Sequence, residues 1–343
     1  MSARGMACSP ASASSSASAG ASRPPIRIVL GLDFGGTKIA AAVCDSNGVR
    51  LSSLTIESRA EEGAKAGLER GIAAARALLQ SAAPGSTLTG VGACTFGIPG
   101  DDGVELAPNI PGWDTLAFGH ELRAAFPGVP VRMATDVKAA AQAELSWGAL
   151  SGCDPALYLN LGTGLAIALI VGGSVVNGGR GAAGEIGYNL RDVRDVGVPL
   201  SKRVSLEEVA SGKALAERAR RELGLPTTAA QVFALAGSDP RAAAIVEEFV
   251  QELALHVVNV AVALDPVRIA VGGGMVRSWG QIAPGLRAAL DAGVPYPPQL
   301  VKARFPYDAP LIGALALGVE AAAATPRGVE ELSDSALGQE ALR

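Results

Sequence analysis

The stretch Ile26-Arg-Ile-Val-Leu-Gly-Leu32 runs into Asp33-Phe34-Gly35-Gly36-Thr37-Lys38 and on into Ile39-Ala-Ala-Ala-Val43. An apolar, β-branched run of this length reads as a buried strand, and the paired glycines turn it into a second one. Glycine tolerates positive φ and lets backbone amides come close to a phosphate, and Thr37 adds a hydroxyl donor. Asp33 at the strand end is placed to hold a Mg²⁺ ion through water, because Mg²⁺ keeps most of its hydration and takes few carboxylates. Lys38 points either to phosphate or to solvent. The same residues also suit a tight hairpin with an ordinary aspartate before it.

Outward from this turn, Asn47-Gly48 marks a hairpin leading to a third strand, Val49 to Ile56. Residues 60–80 read as a helix, Val91 to Phe96 as a strand, 115–126 as a helix and Val129 to Ala134 as a short strand running into Asp136. Ala139 to Leu150 is helical in pattern. The second half then repeats the opening device: Ala156 to Leu161 is a strand, Gly162-Thr163-Gly164 a turn, and Leu165 to Val171 a strand. Helices are expected at 206–223, 228–236 and 240–264, the last from the spacing of Ile245, Phe249, Leu253, Val257 and Val260. Val267 to Val271 is a strand ending in Gly272-Gly273-Gly274, a segment suited to close approach of a flat ligand such as adenine or ribose. A last Ala-rich helix covers Leu311 to Ala323.

The 343 residues are enough for two lobes, each with its own core. Hydrophobic residues at 49% against 18% charged favour a compact globular chain. A net charge of −4 with no basic stripe gives no support to a nucleic-acid partner. The lack of a long unbroken apolar run argues against a membrane span. Cys8, Cys44, Cys94 and Cys153 are scattered and form no C-x-x-C pair, so neither a disulfide framework nor a zinc site is expected, and a cytoplasmic location fits. Residues 1–25, rich in Ser and Ala, read as a disordered extension or as the result of a start codon set too early, with a faint bias toward a transit peptide; residues 326–343 read as a polar tail. Neither a Walker A pattern nor G-x-G-x-x-G is present, which removes the usual support for P-loop and dinucleotide readings.

The ordered set Asp33-Phe-Gly-Gly-Thr-Lys38, Gly97-Ile-Pro-Gly100, Ala107-Pro-Asn109, Asp136, Leu161-Gly-Thr-Gly164, Gly184-Glu-Ile-Gly187, Glu207 with Ala210-Ser-Gly212, and Gly272-Gly-Gly274 resembles the ROK family of repressors, open reading frames and sugar kinases. The resemblance covers about residues 26–325. It implies an α/β, actin/hexokinase-like (ribonuclease H-like) two-lobed fold with an interlobe cleft, with residues 26–135 plus 310–325 forming the small lobe and 136–309 the large lobe. It also implies ATP and Mg²⁺ as cofactors, a hexose or amino-hexose as the small-molecule substrate, and a homodimer or homotetramer.

Carried over position by position, the resemblance makes Asp136 the general base that readies a sugar hydroxyl, a role worth typically about 10²–10⁴ in rate. Gly35, Gly36, Thr37, Lys38, Gly162, Thr163, Gly164, Gly272, Gly273 and Gly274 would hold ATP. Asn109, Thr135, Glu185, Tyr188 and Glu207 would contact the sugar. Each has an ordinary alternative: Asp136 is a natural helix N-cap, Asn109 a loop residue, Glu185 and Glu207 solvated or capping carboxylates. Trp113 is either a wall of the sugar loop or a packing anchor, and His256 reads as a packed core histidine.

The chain departs from the family's pattern on the sugar side. Tyr188 replaces a common His, and 188–205 holds no Cys or His, so the family's structural zinc is not expected. Thr135 replaces Asn. Lys138 stands where a small or amide residue is usual; it is solvated, or lowers the pKa of Asp136, or reaches an anionic acceptor. Glucose is the default acceptor on the resemblance, with fructose, mannose, allose and N-acetylhexosamines as alternatives. The rival readings are a sugar-responsive repressor, disfavoured because residues 1–25 are too short for a DNA-binding module, a non-catalytic sugar binder, and an acid kinase of the same superfold.

Overall fold

The protein's computed structural model describes residues 25–107, 110–224 and 228–324. The chain opens with β1 (Arg27–Phe34), β2 (Lys38–Asp45) and β3 (Arg50–Glu57), followed by α1 (Ala64–Ala82), β4 (Thr87–Thr95), a small hairpin of β5 (Ile98–Pro99) and β6 (Val104–Glu105), α2 (Phe118–Ala125) and β7 (Val131–Thr135). These strands build a five-stranded sheet in the order β3-β2-β1-β4-β7. The β1–β2 and β2–β3 pairs are antiparallel, and β1–β4 and β4–β7 are parallel.

α3 (Asp136–Trp147) leads to a second sheet of β8 (Ala156–Leu161), β9 (Leu165–Val171) and β10 (Ser174–Val175). Then come α4 (Glu207–Ala210), α5 (Gly212–Leu223), α6 (Ala229–Leu235), α7 (Pro240–Leu264), β11 (Arg268–Gly272), α8 (Trp279–Gly293), β12 (Gln299–Lys302) and α9 (Ala309–Ala324). The order β10-β9-β8-β11-β12 repeats the first sheet's topology, three antiparallel strands and then two parallel additions. The two halves are therefore alike in wiring as well as in their opening turns.

Alternation along β1 shows why its run is apolar throughout. Ile28, Leu30, Leu32 and Phe34 face a core shared with α1 and α2, while Val29 packs on the opposite side against Leu311 and Leu315 of α9. A strand buried on both faces has no polar side. α9 lies so close to the sheet that a Cβ on Gly92 would strike the backbone oxygen of Ala314, and a Cβ on Gly313 would strike that of Ala139 in α3. The glycines thus let α9 seat at once on the first sheet and on α3.

Several boundaries differ from the sequence reading. The helix expected at 206–223 is broken at Ser211, whose side chain accepts the Ala214 N–H and so caps a new helix, α5. α3 begins at Asp136 rather than at 139. Ala60–Glu62 is a 3-10 turn, and Gly63 separates it from α1, which starts at Ala64. α8 and β12 went unread: Ile282, Leu286 and Leu290 keep helical spacing, but Gly280, Pro284, Gly285 and Gly293 obscure it. Trp113 is a packing anchor, 2% exposed and stacked on Phe96 at 5.6 Å. His256 is buried in α7, as its position suggested. No helix among the described residues is long and apolar enough to cross a membrane.

Candidate active site

The parallel strands end together. In register, Asp33 of β1 stands beside Cys94 of β4, and Thr95 of β4 beside Thr135 of β7, so Asp33 and Asp136 emerge at one carboxyl edge. In the second sheet, Gly272 of β11 stands beside Asn160 of β8, which brings the triple-glycine segment next to the Gly162-Thr163-Gly164 turn. Ligands of open α/β sheets bind outside the carboxyl ends of such strands.

Both opening turns are tied from behind. Gly35 N donates to Lys38 O at 2.9 Å, and Ser58, at the end of β3, takes the Gly36 carbonyl with its hydroxyl (2.7 Å) and the Thr37 carbonyl with its amide (3.0 Å). In the second turn Gly162 O and Thr163 O accept from Gly212 N (3.0 Å) and Lys213 N (3.2 Å) at the start of α5. Carbonyls anchored in this way leave amides and hydroxyls as the donors each turn presents to an anion. Gly36, Thr37, Lys38 and Thr163 are exposed. Gly273 takes φ 87°, a conformation that favours glycine, and a Cβ there would meet Leu161 O.

Asp136 is the first residue of α3, and its Oδ1 accepts its neighbour's Val137 N–H at 2.8 Å. Thr135 is the cap: 4% exposed, its hydroxyl accepts the Lys138 N–H at 3.2 Å. The capping role considered for Asp136 therefore falls to Thr135, because α3 starts one residue earlier than a cap at 136 requires. Thr135, expected to touch sugar, has its side chain turned into the cap instead.

Asp136 is partly exposed, and protein encloses the rest of it. Burial pushes its carboxyl up to about 6, with the charge of Glu207 adding to the rise and backbone amides opposing it. Burial pushes Asp33 up to about 7, helped by the charge of Asp136 and opposed by a hydrogen bond from the Cys94 thiol at 3.5 Å. Glu185 is also raised, first by burial, with Lys138 pulling it down and Asp136 and Glu207 pushing it up. The charge of Asp136 thus reaches both Asp33 and Glu185, and that of Glu207 reaches Asp136 and Glu185.

Glu207 is tied into the scaffold. One carboxylate oxygen accepts the Leu165 N–H at 2.9 Å and lies where a Cβ on Gly164 would sit, so this side chain fixes the second glycine turn. Tyr188 is 40% exposed and follows Glu185 by one short turn, with its phenol pKa raised by burial and by Glu185 and Glu207. Asn109 lies outside the described residues. Lys138 is buried rather than solvated, and the groups that set the acidity of Asp136 are burial, amides and Glu207.

Three features were not read from the sequence. Cys94, fully buried beneath Asp33, also donates to Pro310 O at 3.4 Å. Asn160 reaches between the Gly162 and Gly273 turns, and its polar side chain in an otherwise apolar strand was the available signal. Segment 188–205 is held by arginines: Arg203 donates to Tyr188 O and Asn189 O, and Arg191 pairs with Glu252 of α7 at 2.6 Å. Among the described residues no group of three or more His, Cys, Asp or Glu is placed to hold a metal ion.

Two matching sheets around a pair of central helices, with carboxylates and glycine turns at the carboxyl ends of their strands, define an actin-like two-lobed α/β protein. The chain belongs to the ROK family, whose model matches residues 29–321. It is similar to a kanosamine kinase of Amycolatopsis mediterranei, 32% identical over 264 residues that cover 76% of this chain and 85% of the relative. Among solved structures it resembles the ROK hexokinase of Thermus thermophilus, with a TM-score of 0.73 and 31% identity over 85% of this chain and 97% of the other. It also resembles a ROK glucokinase of Streptomyces griseus in complex with glucose and AMPPNP, with a TM-score of 0.66 and 28% identity over 85% and 99% of the two chains.

Proposed function

We propose that this chain transfers the terminal phosphoryl group of ATP to a hexose hydroxyl, the sugar 6-OH in a glucokinase-like reaction, with Asp136 as the general base. The observation that carries the reading is the position of Asp136: at the end of β7, at the head of α3, with a carboxyl pushed up to about 6. A base with that pKa is mostly ionised near neutral pH and still basic enough to accept a hydroxyl proton as the new bond forms. Phosphoryl transfer otherwise demands alignment and charge neutralisation. The amides and hydroxyls of the Thr37 and Thr163 turns, with Lys38, would hold the phosphates, and Gly272 to Gly274 would lie against the nucleoside. The lobes would divide at Thr135/Asp136 and again at the start of α9.

The donor set fits Mg²⁺. Asp33 is a hard oxygen ligand, pushed up to about 7 by burial, and a divalent cation there would offset the burial that disfavours its ionised form. When bound, the cation would neutralise phosphate charge. On the acceptor side Asn109, Glu185 and Tyr188, with the second oxygen of Glu207, would take sugar hydroxyls.

One observation favours a second acceptor. Among the described groups whose charge reaches Glu185, the carboxylates Asp136 and Glu207 outnumber the cation Lys138, a balance that suits a sugar bearing an ammonium group. A coupled ADP-release assay over glucose, mannose, fructose, allose, N-acetylmannosamine, N-acetylglucosamine and kanosamine tests both readings. Stimulation by a neutral hexose supports the first and selective stimulation by an amino sugar the second. ATP turnover that no sugar raises would overturn both.

A further inference from the structure

α3 carries a charged residue that neither its cap nor the acid–base reading uses. Lys138 sits in the first turn of the helix, is 3% exposed, and among the described residues forms no ion pair within 4.0 Å. Its Nζ donates instead to the backbone oxygens of Gly181 and, at 3.5 Å, Asn177. Both belong to the loop between β10 and Glu185. Asn177 O also accepts from Ala183 N at 3.1 Å, and Gly184 O accepts from Ile167 N of β9 at 2.9 Å. The loop is thus closed on itself, pinned to β9 at one end, and tied to α3 by one ammonium.

An ammonium buried against neutral carbonyls loses much of its hydration, and burial accordingly pulls the Lys138 pKa down while Glu185 holds it up. An ammonium has three donors, and the two carbonyls occupy two. The groups facing Glu185 are Lys138 and Asp136 from α3, Glu207 from α4 and the Tyr188 phenol from its own turn; of these, Lys138 is the cation.

We propose that Lys138 is a positioning residue for the acceptor: it staples the Asn177–Gly184 loop to the helix that carries Asp136, and so sets the carboxylate of Glu185 beside the reacting hydroxyl. The proposal rests on the sugar-kinase reading of the site. It assigns to one side chain both the geometry of the loop and the charge state of Glu185, and two substitutions separate these roles. Lys138→Met keeps the aliphatic stem and removes donor and charge. Lys138→Gln keeps a donor without the charge.

The test has two parts. Hydrogen exchange on the ligand-free protein follows the Ala183 amide, which the loop closure protects. Steady-state kinetics then give KM for acceptor and for ATP, and the pH profile of kcat/KM for the acceptor. In Lys138→Met, Ala183 exchange quickens at least about tenfold and acceptor KM rises about tenfold or more, as expected for loss of a charged hydrogen bond, while ATP KM stays within about twofold. The acidic limb of the acceptor profile, set in the native protein by Asp136, steepens and moves to higher pH as protonation of Glu185 adds to it, because Glu185 without its cation protonates more readily. Lys138→Gln retains loop protection but shows the shifted limb, and Lys138→Arg restores both.

Unchanged Ala183 exchange and an unmoved limb in both uncharged variants would overturn the proposal, as would acceptor and ATP KM values rising together. Should the wild-type protein phosphorylate no sugar, the function assigned to the site fails, while the exchange comparison still decides the staple. Should Lys138→Met not fold, Lys138→Leu takes its place in the exchange comparison, and Lys138→Gln carries the pH arm.

Discussion

Replacing Asp136 by Asn should abolish activity and at the same time make the protein more stable at alkaline pH. The amide keeps the shape and keeps an oxygen to accept the Val137 N–H, held at 2.8 Å in the native protein. What it removes is a carboxylate that burial has pushed from the usual 3.8 to about 6. A folded-state pKa above the unfolded one means that the folded protein binds the proton more tightly. The contribution of Asp136 is therefore most favourable below pH 4 and is lost as pH rises through about 6. The difference of about 2 pH units corresponds to a ceiling of about 3 kcal/mol at pH 8, and solvent at the exposed part of the side chain screens some of it. For a chain of this size that is an increase in Tm of up to about 5 °C. Asp33 adds to the gain, because the charge of Asp136 is one of the influences that raise it.

Thermal unfolding of both proteins at pH 4 and pH 8, with ADP release measured on the same samples, checks the pairing. The expected result is activity lower by about 10²–10⁴, a higher Tm at pH 8, and nearly coincident melting at pH 4. A variant that melts lower than wild type at pH 8 would refute the reasoning, since it would show that the ionised carboxylate is stabilised by partners.

Gly92→Ala should cost about 3 kcal/mol or more, because the new methyl meets the Ala314 backbone and must push α9 off the sheet; Gly36→Ala, which opens into free space, should leave Tm within about 1 °C. Differential scanning calorimetry of the pair decides this. Glu144 is fully buried and accepts from the amides of Ala149, Arg304 and Phe305, so Glu144→Gln turns an NH₂ group toward backbone donors; denaturant unfolding should show a loss of about 2 kcal/mol or more. The Trp113 indole N–H is buried without a partner among the described residues, so Trp113→Phe should change stability by less than about 1 kcal/mol, while Trp113→Ala should cost about 3–5. A large loss in Trp113→Phe would show that the indole is bonded after all.

How much was legible can be argued from particular residues. β8, β9 and α7 fall at the residues the periodicity indicated, because each is bounded by strong turn or cap signals: Gly162 to Gly164 for the strands, Asp239-Pro240 for the helix. α8 was hidden because its Pro and Gly residues read as breakers: Pro284, the sixth residue, lies past the first turn and gives up a helical hydrogen bond, and the groove against Val250 needs a small residue at Gly285. The break at Ser211 was missed for the opposite reason: the sequence stays helix-forming across it, and only the backbone tie from Gly212 to Gly162 shows why the chain must turn there.

The sequence by itself determined which residues could do chemistry: aspartates after strand ends, paired Gly-Thr turns, and a Gly-Glu-Ile-Gly segment in a fixed order. These are local signals, set by backbone conformations and donor types that neighbours along the chain dictate. The tertiary structure alone decided what those groups feel. Cys94 lies under Asp33, Glu207 clamps the Leu165 amide, and Lys138 is drawn under a loop some forty residues further on. Charge state and orientation depend on burial and on partners distant in sequence, and only the packed chain brings those together.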